Sequence, residues 1–290
     1  MLIRVTDILL LSFSLYKEHF KLFAKYLGLL FIPTVFTRLS GEFVSLMFVQ
    51  EKSAVLLNSL IATGYLILIT IAFIFGYWIT FAIVRTCADI YLKMQRKNIH
   101  DELGETKEYL WPALLTSILS TLVFAVWFSP IIARTGLDAI AFSQYLTDPV
   151  RLLTFVILLI PAIYFGLWYV FASYNVVIHK QESAIKAMKN SHNLVRGRWW
   201  SVLWRLAVPW AAFALLAYIP QKLLKVAQYY INGLLEAGTW EYLVTINVLA
   251  LTFIITSLLF APLVFFAKTI LYVELRKVPT ERMKRAQKLT

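Results

Sequence analysis

From Ala54 to Val84 the chain runs without a single charged residue, and Arg85 closes the run. A helix rises about 1.5 Å per residue and crosses a bilayer core of roughly 30 Å in about 20 residues, so this segment is more than long enough to span and implies tilt or a protruding end. Comparable runs recur along the chain, and 60% of its residues are hydrophobic against 15% charged. That balance does not suit a water-facing globule, and the solvent for most of this chain is lipid. Lipid forces every backbone N–H and C=O to find an internal partner, which leaves helices or closed barrels. A barrel would show segments of about 10 residues alternating in polarity. These runs are apolar on every face, so the expected fold is all-α: a polytopic helical bundle forming one membrane domain over residues 1–290.

Six spans are expected, over residues 20–37, 54–84, 111–133, 152–178, 202–219 and 242–272, with a basic tail over 273–290. In the first, Lys21 and Lys25 must snorkel and Pro33 is placed to bend the helix. Trp111-Pro112 opens the third, an interfacial aromatic beside a proline suited to a first helical turn. Pro161 predicts a kink in the first half of the fourth span, Pro209 lies inside the fifth and Pro220 at its exit, and Pro262 interrupts the sixth. The first twenty residues lack a convincing small-residue cleavage site and are expected to be retained. They are expected to form a helix along the membrane surface, capped by Thr6 or Asp7.

The basic residues set the orientation. Arg38, Lys52, Arg134, Arg151, Lys222 and Lys225 fall on one side of the expected spans, and the remaining 22 of the 28 lysines and arginines fall on the other. Cytoplasmic loops accumulate such residues, so both ends and the even-numbered loops are expected in the cytoplasm of a plasma membrane. The net charge of +12 accompanies no nucleic-acid motif and suits anionic headgroups instead. The only cysteine, Cys87, excludes an intrachain disulfide and a cysteine-built metal site and reads as a small packing residue.

The chain also hints at internal repetition. Ser14 to Phe20 before the first span and Asn193 to Trp199 before the fifth share a polar-Leu-x-basic-x-basic-aromatic pattern, and Lys107 to Trp111 is a looser third copy. A surface helix followed by a two-span hairpin, used three times, would produce this. The most distinctive stretch runs from Ser183 to Trp200. Ala184, Ala187, Met188, Ser191 and Val195 share one helical face and leave Lys186, Lys189, Asn193 and Arg196 toward headgroups or water. Gly197 is suited to end that helix in a left-handed conformation, after which Trp199 and Trp200 anchor the next span. The plain reading is a topological anchor. The sharper one makes Lys189, Arg196, Arg198, Trp199 and Trp200 contacts for an anionic lipid headgroup.

The pattern Ala187, Ser191, Leu194, Val195, Arg196, Gly197 and Trp200, with basic surface segments before hairpins, resembles the six-span membrane domain that accompanies some bacterial glycerophosphodiester phosphodiesterases and related stand-alone envelope proteins. The resemblance implies a fold and a location. The catalytic domain of those enzymes is a separate soluble barrel for which this chain has no room, so no catalytic residue is carried over.

The residues point the same way. His19, His100, His179 and His192 form no metal-ligand spacing, although His179 and His192 could approach Glu182, and no nucleophile elbow, Walker loop or dinucleotide fingerprint is present. No charge lies at mid-membrane in any expected span; Lys268 and Glu274 sit near the end of the sixth. Asn58, Thr63, Thr70, Asn175, Asn247, Thr252, Thr256 and Ser257 are buried polar candidates that join helices more often than they line a pathway. The loop from Arg85 to Leu110 balances basic and acidic residues and reads as a solvated loop, or as a docking surface for a partner. The expected function is therefore that of a non-enzymatic, cofactor-free membrane protein that organises the envelope by holding anionic lipid or a protein partner at its cytoplasmic face. The alternative, motivated by the prolines and repeated hairpins, is a transporter or flippase for a lipid or amphiphile.

Overall fold

The computed structural model describes residues 2–49, 55–94, 98–135, 147–181, 183–234 and 239–278, and no strand occurs among them. The expected start of the second span at Ala54, the side chain of Asn58, Glu182 and the basic tail from residue 279 lie outside the described residues. A short helix α1 (Val5–Glu18) leads into α2 (Phe20–Val49) and α3 (Val55–Tyr91). A second short helix α4 (Ile99–Glu108) leads into α5 (Leu110–Ala125), which continues through one 3-10 turn (Val126–Phe128) into α6 (Ser129–Thr135); the next leg is α7 (Pro149–Trp168) with α8 (Ala172–His179). The third short helix α9 (Ala184–Val195) leads into α10 (Trp199–Leu234) and α11 (Trp240–Lys277). The order short helix, long leg, long leg thus occurs three times, as the repeated pattern predicts.

Six stretches are long and apolar enough to cross a membrane: Phe20–Thr37, Ser59–Tyr91, Leu110–Ala133, Pro149–His179, Trp199–Ile231 and Val244–Lys277. Even the most enclosed of their apolar windows is only 33% buried. Water would not tolerate so much exposed Leu, Ile, Phe and Val, whereas hydrocarbon does, so these outward faces are lipid faces. The chain is a multi-pass integral membrane protein.

The helices cluster into two compact units, one built from Glu108–Trp204 with the chain from Tyr272 onward, the other from Ile3–Lys107 with Arg205–Leu271. In the second of these, α1 starts at Val5 with Arg4 before it and no side-chain cap, so the expected capping by Thr6 or Asp7 is corrected. Asp7 falls inside the first turn, where a carboxylate favours the helix dipole without closing the end. Ile8, Ser12 and Tyr16 face inward at a four-residue spacing, while Leu10, Phe13 and Lys17 face outward. The Tyr16 hydroxyl donates to the Leu259 carbonyl at 2.8 Å, in the turn before Pro262, and α11 continues as helix through that proline. Burial pushes the Tyr16 phenol up to about 12, which keeps it a neutral donor. Phe23 packs edge-on against Phe266 at 5.1 Å, and Tyr26 shares a 2.9 Å hydrogen bond with Thr86 of α3.

The stretch after Arg85 also departs from expectation. The helix continues through Cys87, which is buried, to Tyr91, and what reads as a solvated loop contains α4 packed back on α3. Arg85 Nε lies 3.4 Å from Glu102, a second nitrogen of the same guanidinium bonds Glu105, and the Trp78 indole donates to the Leu103 carbonyl at 3.0 Å. Arg85 and Glu102 are both buried. Charge balance in this stretch therefore reflects internal pairing, which linear spacing does not reveal.

In the other unit, α7 continues as helix through Pro161. The break falls later, between Trp168 and Ala172. Ala162 is fully buried and Gly166 leaves room for the Phe124 ring, since a Cβ on Gly166 would come within 3.1 Å of it. Trp127 stacks on Phe165 with centroids 5.3 Å apart and planes within 8°. Gly76 of α3, by contrast, has nothing within 4 Å of where its Cβ would stand, so no close helix approach depends on it.

Replacing Glu102 by alanine should lower stability by about 3 kcal/mol, because Arg85 stays buried with weaker compensation. Thermal unfolding in detergent is the measurement. Pairing Arg85→Met with Glu102→Leu should recover most of that loss, since an apolar pair of similar volume carries no stranded charge.

Candidate functional site

The stretch from Ser183 to Trp200 forms α9 and the turn that follows it. Ser183 occupies the N-cap and accepts from the Lys186 amide, and Ala184, Ala187, Ser191, Leu194 and Val195 are buried. Lys186, Lys189, Asn193 and Arg196 point outward, as the periodicity predicts, while Met188 is half-buried and Leu194 joins the inner face. Ile185 also points outward, so the outer surface of α9 combines an apolar residue with three cations. Gly197 adopts φ +81°, the left-handed turn expected of it, where a side chain would be strained.

What holds α9 in place is a set of polar contacts. The Ser191 hydroxyl donates to the Trp168 carbonyl at 2.8 Å and accepts from the Phe171 amide at 3.1 Å. It thereby satisfies backbone groups on both sides of the α7–α8 break. Asn175 of α8, singled out in the sequence as a polar joiner, donates to the carbonyls of Phe171 at 3.2 Å and Ala187 at 3.4 Å. Its oxygen accepts from the Tyr272 hydroxyl at 2.9 Å, and that hydroxyl in turn accepts from Arg276 at 3.4 Å. Three helices meet on one amide.

The candidate residues divide sharply. Arg198 is turned inward: it donates to the Val278 carbonyl at 2.7 Å and reaches the Leu275 carbonyl at 3.5 Å, closing the C-terminal end of α11. A helix end carries negative partial charge, so a guanidinium fits there well, although partial burial draws its pKa below the usual arginine value. Its assignment as a headgroup contact is corrected on this geometry. Trp199 is likewise engaged, its indole donating to the Tyr164 carbonyl at 3.2 Å. Trp200 is 69% exposed and, with Lys186, Lys189 and Arg196, remains available to an outside group. His192 sits edge-on to Trp168 with centroids 4.7 Å apart, and burial followed by the nearby Arg196 charge lowers its pKa.

His179 lies against Tyr272 with ring centroids 5.7 Å apart and planes tilted by 51°, Glu274 pairs with Lys277 at 2.6 Å, and Lys268 is half-buried. Among the described residues, no group of three or more His, Cys, Asp or Glu side chains could hold a metal ion. What the fold and this surface define is a multi-pass integral membrane protein with a cation-bearing amphipathic helix. No family model, curated protein or solved structure matches the chain.

Arg198→Ala should speed amide exchange at residues 275–278, measured by hydrogen–deuterium exchange, because it strips the end of α11. Lys189→Ala with Arg196→Ala should change unfolding by no more than about 0.5 kcal/mol, as exposed side chains do. The neutral form of His192 is favoured in the folded chain. Between the ordinary histidine pKa of 6.5 and the lower folded one, the unfolded state binds more protons. Stability should therefore fall as pH drops below about 6.5, and His192→Gln should remove that part of the slope in thermal melts across pH 4.5 to 7.5.

Proposed function

We propose that this protein is a non-enzymatic organiser of a cell envelope, holding anionic lipid headgroups against the outer face of α9. The observation that carries the reading is the division within one motif. Ala187, Ser191, Leu194, Val195, Gly197, Arg198 and Trp199 build or clamp the fold, while Lys186, Lys189 and Arg196 face outward, and Trp200, which meets Trp199 edge-on, stays largely exposed beside them. A cationic stripe next to an interfacial tryptophan complements phosphate-bearing headgroups.

The proposal includes a plasma-membrane location with both ends cytoplasmic, on the positive-inside reasoning, and kinship with the six-span membrane domain associated with glycerophosphodiester phosphodiesterases. Against transport through discontinuous helices, the α7–α8 break is closed by the Ser191 hydroxyl.

The test is native mass spectrometry of the full chain titrated with phosphatidylglycerol or phosphatidylcholine, comparing wild type with a Lys189→Ala, Arg196→Ala variant. Each basic side chain near a charged surface contributes about 1 kcal/mol, so phosphatidylglycerol binding should weaken roughly thirtyfold in the double variant. Equal retention in both proteins would sink the reading, as would lipid turnover or solute flux by purified protein.

A further inference from the structure

A second feature, within the unit that contains Arg205–Leu271, is absorbed by none of the foregoing. A crevice of about 220 Å³ opens between α10 and α11, lined by Lys225 and Gln228 on one side and by Ile246, Leu249, Ala250 and Phe253 on the other. Its construction follows from helical spacing. Gln221, Lys225 and Gln228 lie on one face of α10 at intervals of four and three residues, opposite Ile246, Ala250, Phe253 and Ser257 on α11. The Gln221 amide donates to the Ser257 hydroxyl at 3.0 Å and ties the two helices at one end of the crevice. Lys225 and Gln228 follow in the next two turns.

Depth gives Lys225 its meaning. Arg205 and Lys225 are twenty residues apart on one helix, about 30 Å at 1.5 Å per residue, which is the thickness of a bilayer core. With Arg205 at one interface, Lys225 stands at headgroup level on the other. Lys222, one turn earlier, lies 5.6 Å from the centre of the Tyr218 ring. Lys225 and Gln228 instead stand in a lining whose other members, Leu224 included, are apolar, and no acidic side chain among the described residues pairs with Lys225.

We infer that this crevice is a binding site for an anionic glycerophospholipid of the leaflet on the Lys225 side. The ammonium of Lys225 and the amide of Gln228 hold the phosphate, and part of one acyl chain lies along Ile246, Leu249, Ala250 and Phe253. The volume agrees with partial occupancy. It falls below the roughly 300 Å³ at which pockets enclose a whole drug-sized ligand, as expected if most of the lipid stays in the bilayer. A neutral lipid would leave the ammonium uncompensated, and a free phosphate would leave the apolar wall unused.

The experiment uses the full chain in nanodiscs containing phosphatidylglycerol with a photoactivatable diazirine in one acyl chain, and maps crosslinks by peptide mass spectrometry. Labelling is expected over residues 246–253, with little from the matching phosphatidylcholine probe. A charge-assisted contact is worth about a factor of ten in affinity, so Lys225→Gln should reduce labelling about tenfold, and Ala250→Trp should reduce it by filling the crevice. Unlabelled phosphatidylglycerol should compete, whereas soluble glycerol phosphate should not. The Lys189→Ala, Arg196→Ala variant should label as wild type, which separates this site from the α9 surface. No labelling over 246–253, equal labelling by the neutral probe, undiminished labelling in Lys225→Gln, or full competition by glycerol phosphate would each overturn the assignment.

Discussion

In hydrocarbon a backbone amide or carbonyl that loses its helical partner has no water to replace it, and each stranded group costs several kcal/mol. The polar contacts that organise these helices lie where that cost would otherwise fall. At the α7–α8 break one hydroxyl, that of Ser191, serves a carbonyl on one side and an amide on the other. In the turn before Pro262 the Tyr16 hydroxyl meets the Leu259 carbonyl, and at the end of α11 Arg198 takes the carbonyls of Leu275 and Val278. Each interruption of a helix is thereby converted into a tie to another helix, which is how a bundle without a water-driven core acquires definite packing.

How much of this was legible in the sequence follows from the range of the forces involved. The number of spans, the outer face of α9 and the left-handed turn at Gly197 depend on local composition and on 3.6-residue spacing, and the structure agrees with them, whereas the fifth span, expected to end at Ile219 before Pro220, lies in a helix that continues through Pro220 to Leu234. The ion pair of Arg85 with Glu102 and Glu105 was not legible as a clamp, since alternating charges look the same whether solvated or folded back. Nor was the use of Arg198, because its partners lie 77 and 80 residues away. The end of α7 at Trp168 was not legible either, since no proline or glycine marks residues 168–172 and the contacts at that break come from Ser191, some twenty residues on.

The repeated order of short helix and hairpin has a physical counterpart in the short helices. Seven residues before each junction the helix buries a polar side chain: Ser12 before His19, Glu102 before Tyr109 and Ser191 before Arg198. In the second and third copies that side chain binds the leg that precedes it, Arg85 of α3 and the α7–α8 break respectively. No leg precedes α1 among the described residues, and Ser12 bonds the Ile8 carbonyl of its own helix. The position is shared while the chemistry differs, so the geometry of the fold calls for a buried polar key there and leaves its identity to the partner available.

If the inner faces are committed to clamping, any difference in task between the copies must reside on the outer ones. The outward surface of α1 carries Leu10, Phe13 and Lys17, a lipid-facing pattern with one visible cation. That of α4 mixes Asp101 and Glu108 with Lys107, so an approaching anion meets repulsion as well as attraction. Helix α9 contains no acidic residue, and Lys186, Lys189 and Arg196 stand outward along it within about three turns. Among the three, α9 is where attraction for a phosphate is not cancelled locally, and it is also the helix most heavily braced from within. A surface fixed by Ser191 and Asn175 presents its cations in a settled geometry, so under the proposed lipid-holding role less ordering cost would fall on the bound headgroup.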